Sequence, residues 1–273
     1  MKTAWARALA WAGAVLCGLV APGAARAQLE VDHFEVFLTA GPGQARGAFT
    51  VRNVSDQPQT SQLRIGDWER TLDGGQIFHD SAGVLSGSCQ PAVEVFPTIL
   101  RLAPGESQAV LVTYSGGARS TSCWSIIYVA TAPKPAALTS GAQVIVELRQ
   151  GIKLYVEPPA TRPELTVDTV DVEHHVPGGA ESAADTAGTD VMAIVRNRGV
   201  IQSLVKGSVE YRTLGDSLVQ RVTMDEFPVL PGSRRRVRSR VPQLPPGRYV
   251  VLMLFDFRGA EIVAGQINLD LAR

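Results

Sequence analysis

The sequence predicts an all-β chain of two β-sandwiches joined by a proline-rich hinge. Three observations point there. From Leu29 onward, short apolar runs are punctuated by turn residues roughly every 8–12 positions, with no long helical period. Residues 158–163 read Pro-Pro-Ala-Thr-Arg-Pro, a stiff extended linker that divides the chain near its middle. A length of 273 residues, 45% of them hydrophobic, supplies cores for two ordinary sandwiches.

The chain opens on a leader. Lys2 and Arg7 precede an apolar run from Ala8 to Val20, and Ala25 and Ala27 occupy the small-residue positions of an A-x-A site. Residues 1–27 therefore read as a secretory signal, with a mature chain beginning near Gln28. Cys17 falls inside it, and Leu16 does not fit the small residue expected before a lipidated cysteine. Cys89 and Cys123 remain, an even count in an oxidising compartment. They are either one disulfide closing a loop of about 35 residues, contributing roughly 3–4 kcal/mol, or two buried thiols. Without the leader, 23 basic residues face 26 acidic ones, a net charge of about −3 that gives no reason to expect nucleic acid. No apolar run after Val20 is long enough to span a bilayer as a helix.

Seven strands are expected in the first half, at residues 30–38, 45–53, 60–68, 93–102, 108–114, 124–130 and 143–156. Gly41-Pro42-Gly43 separates the first two, Asn53-Val54-Ser55-Asp56 ends the second, and Ala103-Pro104-Gly105-Glu106 is a tight turn after the fourth. Residues 71–88 are rich in Gly and Ser and read as irregular, and residues 132–142 read as a flexible loop feeding the last strand.

That last strand is the unusual one. From Gln143 to Val156 its even positions are apolar except at Gln150, while its odd positions are largely polar or charged. At roughly 3.3 Å per residue it would reach about 45 Å, two to three times an ordinary strand. One reading is a long central strand. The other is an edge left open for a partner, since unpaired backbone beside alternating apolar side chains invites β-augmentation and is otherwise suppressed. Lys153 sits on the polar face just before the hinge. It is either a surface lysine or a charge placed to grip a carboxylate in a cleft between the domains.

Seven more strands are expected beyond the hinge, at residues 164–173, 190–196, 203–212, 218–224, 234–241, 247–258 and 261–271. Residues 176–189 are too poor in apolar side chains to pack and read as a hairpin tip. Val51-Arg52-Asn53 and Val195-Arg196-Asn197 stand at similar strand ends and hint at related domains. Arg234, Arg236, Arg238 and Arg240 form one positive stripe, read as a solvated face or a docking surface for an acidic partner or lipid.

Signatures of catalysis are missing: no nucleophile elbow, P-loop, dinucleotide fingerprint, H-E-x-x-H or C-x-x-C. His33, His79, His174 and His175 have no partners at metal-ligand spacing. No enzyme activity, metal, cofactor or small-molecule substrate is expected.

The run Gln150-Gly151-Ile152-Lys153-Leu154-Tyr155-Val156-Glu157-Pro158, preceded by Val144, Val146 and Leu148, resembles the last strand of the N-terminal domain in PapD-like periplasmic chaperones of pilus assembly. Phe96-Pro97-Thr98-Ile99-Leu100-Arg101-Leu102-Ala103-Pro104-Gly105 is similar to that family's proline-bearing strand and its following turn, and Ala48-Phe49-Thr50-Val51-Arg52-Asn53 to its second strand. The resemblance implies two immunoglobulin-like domains, residues 28–158 and 159–273, of which the second departs from the family's pattern. It implies that Val144, Val146 and Leu148 are donor side chains for a pilin or other surface-fibre subunit, with an outer-membrane usher as a further partner, and that Lys153 anchors the subunit's carboxylate. The family pairs that lysine with an arginine on its first strand. Here Leu29 to Leu38 holds no basic residue except His33, so the carboxylate grip is half missing or its second cation comes from elsewhere, such as Arg46 or Arg52. The function expected is a periplasmic, ATP-independent subunit chaperone acting by donor-strand complementation. The alternative is a secreted structural or adhesive protein whose long strand is completed internally or by self-association.

Overall fold

Alternate residues of most strands turn into one of two apolar cores, and all regular structure among the described residues is β, as predicted. The computed structural model describes residues 28–137, 143–175 and 188–271. The leader with Cys17, residues 138–142 of the loop and residues 176–187 of the expected hairpin tip lie outside the described residues.

The first sandwich contains β1 (Leu29–Val31), β2 (Glu35–Thr39), β3 (Ala45–Asn53), β4 (Gln59–Arg70), β5 (Gln76–His79), β6 (Val93–Phe96), β7 (Ile99–Leu102), β8 (Ser107–Tyr114), β9 (Cys123–Thr131), β10 (Lys134–Ala137), β11 (Gln143–Val146) and β12 (Arg149–Glu157). One sheet runs β1-β3-β8-β6. The facing sheet runs β2-β12-β9-β4-β5 with β7 also on β4, and β10 and β11 form a separate two-stranded ribbon. Phe49, Val110, Ile127, Ile152 and Leu154 close the core between the sheets, and a Cys89–Cys123 disulfide with Cα atoms 5.0 Å apart lies in it.

Three expectations are refined. The first strand is two: β1 pairs antiparallel with β3 in one sheet, and β2 pairs parallel with β12 in the other. Asp32 secures the crossing, its Oδ1 accepting the Thr50 N–H at 2.9 Å. The strand expected at 93–102 is also two, β6 and β7, divided at Pro97, whose nitrogen has no hydrogen for a ladder. The stretch read as irregular holds β5, which turns back on β4 with Arg70 opposite Gln76.

The second sandwich contains β13 (Leu165–His175), β14 (Gly188–Asn197), β15 (Ser203–Thr213), β16 (Leu218–Thr223), β17 (Phe227–Val229), β18 (Arg234–Arg240), β19 (Gly247–Asp256) and β20 (Val263–Leu271). Its sheets run β13-β14-β18 and β16-β15-β19-β20, with β17 also on β15, around Val191, Val205, Tyr211, Val251 and Phe255.

Two buried asparagines show that the sandwiches share a plan. Asn53 ends β3 and gives its Nδ2 hydrogens to the carbonyls of Gln57 and Leu102, at 2.8 and 3.0 Å, while its Oδ1 accepts the Ser55 N–H at 3.0 Å. Asn197 ends β14 and does the same with Ile201, Val229 and Gly199, at 2.8, 2.9 and 2.8 Å. Each is opposite a Pro-Gly turn, Pro104-Gly105 or Pro231-Gly232, whose glycine holds φ of +78° or +70° and gives its N–H to that asparagine's carbonyl. The similar strand ends noted in the sequence are thus equivalent positions of a repeated unit.

Candidate functional site

The predicted long strand divides at Glu147–Leu148 into β11 and β12. The cause lies on the opposite side of the hairpin. Arg149 faces Ala130 and Val146 faces Lys134, so residues 147–148 span the gap on one side and residues 131–133 on the other. The extra residue is a β-bulge beside Pro133, and Thr131 bridges it, donating its N–H to the Leu148 carbonyl at 2.9 Å and accepting the Leu148 N–H on Oγ1 at 3.1 Å. With the insertion opposite, the alternation from Val144 to Val156 stays in phase.

The two flanks of this ribbon differ. One is paired throughout, by β9 and then β10. The other is taken by β2 only from Lys153 to Glu157, with the Lys153 N–H on the Phe34 carbonyl at 2.8 Å. Between Gln143 and Ile152 no strand of the described residues pairs there. Ile152, Leu154 and Val156 fill the core. Val144, Val146 and Leu148 continue the same row and are 37%, 40% and 45% exposed.

Lys153 lies on the opposite face. Ladder partners share a face, so Gly66, Ile126 and Lys153 line up across β4, β9 and β12, and the alternation adds Trp68, Arg70, Tyr128 and Tyr155. Trp68, Ile126, Tyr128 and Tyr155 form a buried cluster with Leu230 of the second sandwich. The Lys153 ammonium stands 4.9 Å from the Trp68 ring centre and the Arg70 guanidinium carbon 5.4 Å from it. Tyr155 meets Trp68 edge-on at 6.0 Å and is covered by Phe37, stacked at 4.8 Å.

Arg70 is the other cation on this face, beside the same Trp68 ring. The alternatives named from the sequence, Arg46 and Arg52, are exposed on β3 in the other sheet, where Arg46 bonds to Gln44 at 2.9 Å. The nearest acid is Glu35, 3.9 Å from the Lys153 ammonium. Burial pulls the lysine pKa below its ordinary value, the Arg70 charge lowers it further, and Glu35 opposes both. Burial likewise lowers Arg70, against Tyr155 and Glu35.

The arginine stripe is not a free surface. The turn between β4 and β5 docks on β18, with the Arg236 N–H on the Leu72 carbonyl at 2.7 Å and the Arg236 and Arg238 guanidiniums each 3.2 Å from Asp73. Arg238 also pairs with Glu173 at 2.8 Å, and Arg240 with Asp190 at 2.9 Å. Arg236, Arg238 and Arg240 of the stripe are thus each paired with an acid of this chain.

A two-sandwich β protein with a half-open ribbon and a pair of cations at its domain junction is the class that fold and site define. No family model and no curated protein sequence matches the chain. Solved structures do. The chain is similar to the class 5 fimbriae chaperone CfaA, at 13% identity over 87% of this chain and 98% of that one, with a TM-score of 0.51. It is also similar to a chain of a chaperone–tip adhesin complex of CFA/I fimbriae biogenesis, at 11% identity over 88% and 98%, with a TM-score of 0.52. The fold of this chain is that of these two solved structures, two immunoglobulin-like sandwiches.

Proposed function

We infer that the protein is a periplasmic, ATP-independent chaperone that holds an incomplete fimbrial or surface subunit by lending it a strand. The observation that carries this reading is the free flank of β11 and the start of β12, beside a row of half-exposed aliphatic side chains that runs on from the core. Val144, Val146 and Leu148 are the donor residues of this reading. Only about two-fifths of each remains to be buried, so the three together contribute about 2–4 kcal/mol. Main-chain hydrogen bonds at about 0.5–1.5 kcal/mol each supply the rest. Lys153 and Arg70 take the subunit's terminal carboxylate, each through a charge-assisted bond.

Expression of Val146→Arg in the periplasm tests the reading. Loss of co-purifying subunit with an unchanged midpoint of thermal unfolding supports strand donation. An equal loss of both would make Val146 a core residue and favour the structural or adhesive alternative.

A further inference from the structure

We propose that Arg235 of the second sandwich is a third cation of the carboxylate pocket, so that an anion held by Lys153 and Arg70 also ties the two sandwiches together. This rests on the carboxylate reading above. Arg235 is on β18, beside the residues that grip Asp73, yet its own contact is different. Its guanidinium occupies the space a Gly74 side chain would fill. The Gly74 carbonyl takes the Arg70 Nη1 hydrogen at 3.2 Å, so this one glycine lies between the two arginines.

The hydrogen-bonding atoms nearby are unspent. Arg235 Nε and Nη1 and Arg70 Nε are buried and donate to nothing among the described residues. Of the surrounding acids, Asp73 is engaged by Arg236 and Arg238, and Glu35 stands beside Lys153. Asp225 and Glu226 line the same cleft as Arg235, but Asp73 is the acid that acts on its charge. Burial and the Arg70 charge both depress the Arg235 pKa, against Asp73, which agrees with an uncompensated positive cluster. Buried donors without partners are costly, and a ligand carboxylate with two acceptor oxygens would satisfy them.

The probe is a short acetylated peptide ending in valine, prepared with a free carboxylate and as its amide. Binding is followed by the fluorescence of Trp68 and Trp124, both in or against the junction cluster. The free acid is expected to bind the whole chain at least tenfold more tightly than the amide. Arg235→Gln should weaken the acid about tenfold, and Arg235→Lys should recover most of the loss. Ligand-free Arg235→Gln should unfold at no lower temperature than the parent, since it removes one of three crowded like charges. If Arg235→Gln binds as the parent does while Lys153→Gln is weakened, the third-cation proposal is overturned and the carboxylate reading stands. Equal binding of acid and amide by the parent would overturn both. A lowered unfolding midpoint in Arg235→Gln that lysine does not restore would make the residue structural and also overturn the proposal.

Discussion

Lys153 links the chemistry of the pocket to pH. Its folded-state pKa lies below the unfolded value because burial and Arg70 disfavour the ammonium. Between the two values the unfolded chain binds more protons, so this group makes the ligand-free protein gain stability as pH rises through that window. Carboxylate binding runs the other way: it needs the charged form and should weaken as pH rises through the lowered pKa, before ordinary lysines titrate. Titrating peptide affinity from about pH 7 to about pH 10 checks this, and Lys153→Arg should flatten the profile. Buried amides set the other residue-scale prediction. Asn53→Asp removes the donors to the Gln57 and Leu102 carbonyls and leaves a carboxylate against them. It should cost about 3 kcal/mol or more in denaturant unfolding, and Asn197→Asp a similar amount in the second sandwich.

At the scale of elements, period-two alternation made most strands legible, because one face of each must enter a core. Proline limited the reading. Pro97 divides β6 from β7, and Pro133 sits beside the bulge that divides β11 from β12, breaks that depend on which strand lies opposite. Arg70 was missed for a related reason. The sequence places the end of its third strand at Trp68, whereas β4 continues to Arg70 because β5 pairs with it. Only that pairing and the β4-β9-β12 register bring Trp68, Arg70 and Lys153 to one face. The fate of the arginine stripe was hidden in the same way, since Asp73 is more than 160 residues away from its partners Arg236 and Arg238. Parity along the ribbon is itself testable. Ile145 is 79% exposed on the face opposite Val144 and Val146. Val144→Arg should abolish subunit capture, as is expected of Val146→Arg, Ile145→Arg should largely preserve it, and none should shift the unfolding midpoint by more than about a degree or two, as expected for exposed positions.

In the whole molecule the pocket depends on how the sandwiches meet. No ladder among the described residues crosses residues 158–164, so the junction is held by the Trp68–Leu230 cluster, the Ser122 N–H to Val200 carbonyl bond at 2.8 Å and the docking of the β4–β5 turn on β18. Asp73 is the hub of that docking, but at 54% exposure its two arginine pairs are well screened and together contribute about 1 kcal/mol. Neither sandwich core contains Asp73. Asp73→Ala should therefore leave the unfolding of both cores almost unchanged while populating forms in which the junction has opened. When opening is fast relative to cleavage, proteolysis at residues 158–164 follows that population, and 1 kcal/mol corresponds to about a fivefold faster cut. High salt should speed cleavage of the parent toward the same rate and leave the variant little affected, since the pairs it screens are already gone. A variant cut no faster than the parent would mean that the apolar cluster and the two backbone bonds hold the junction without Asp73.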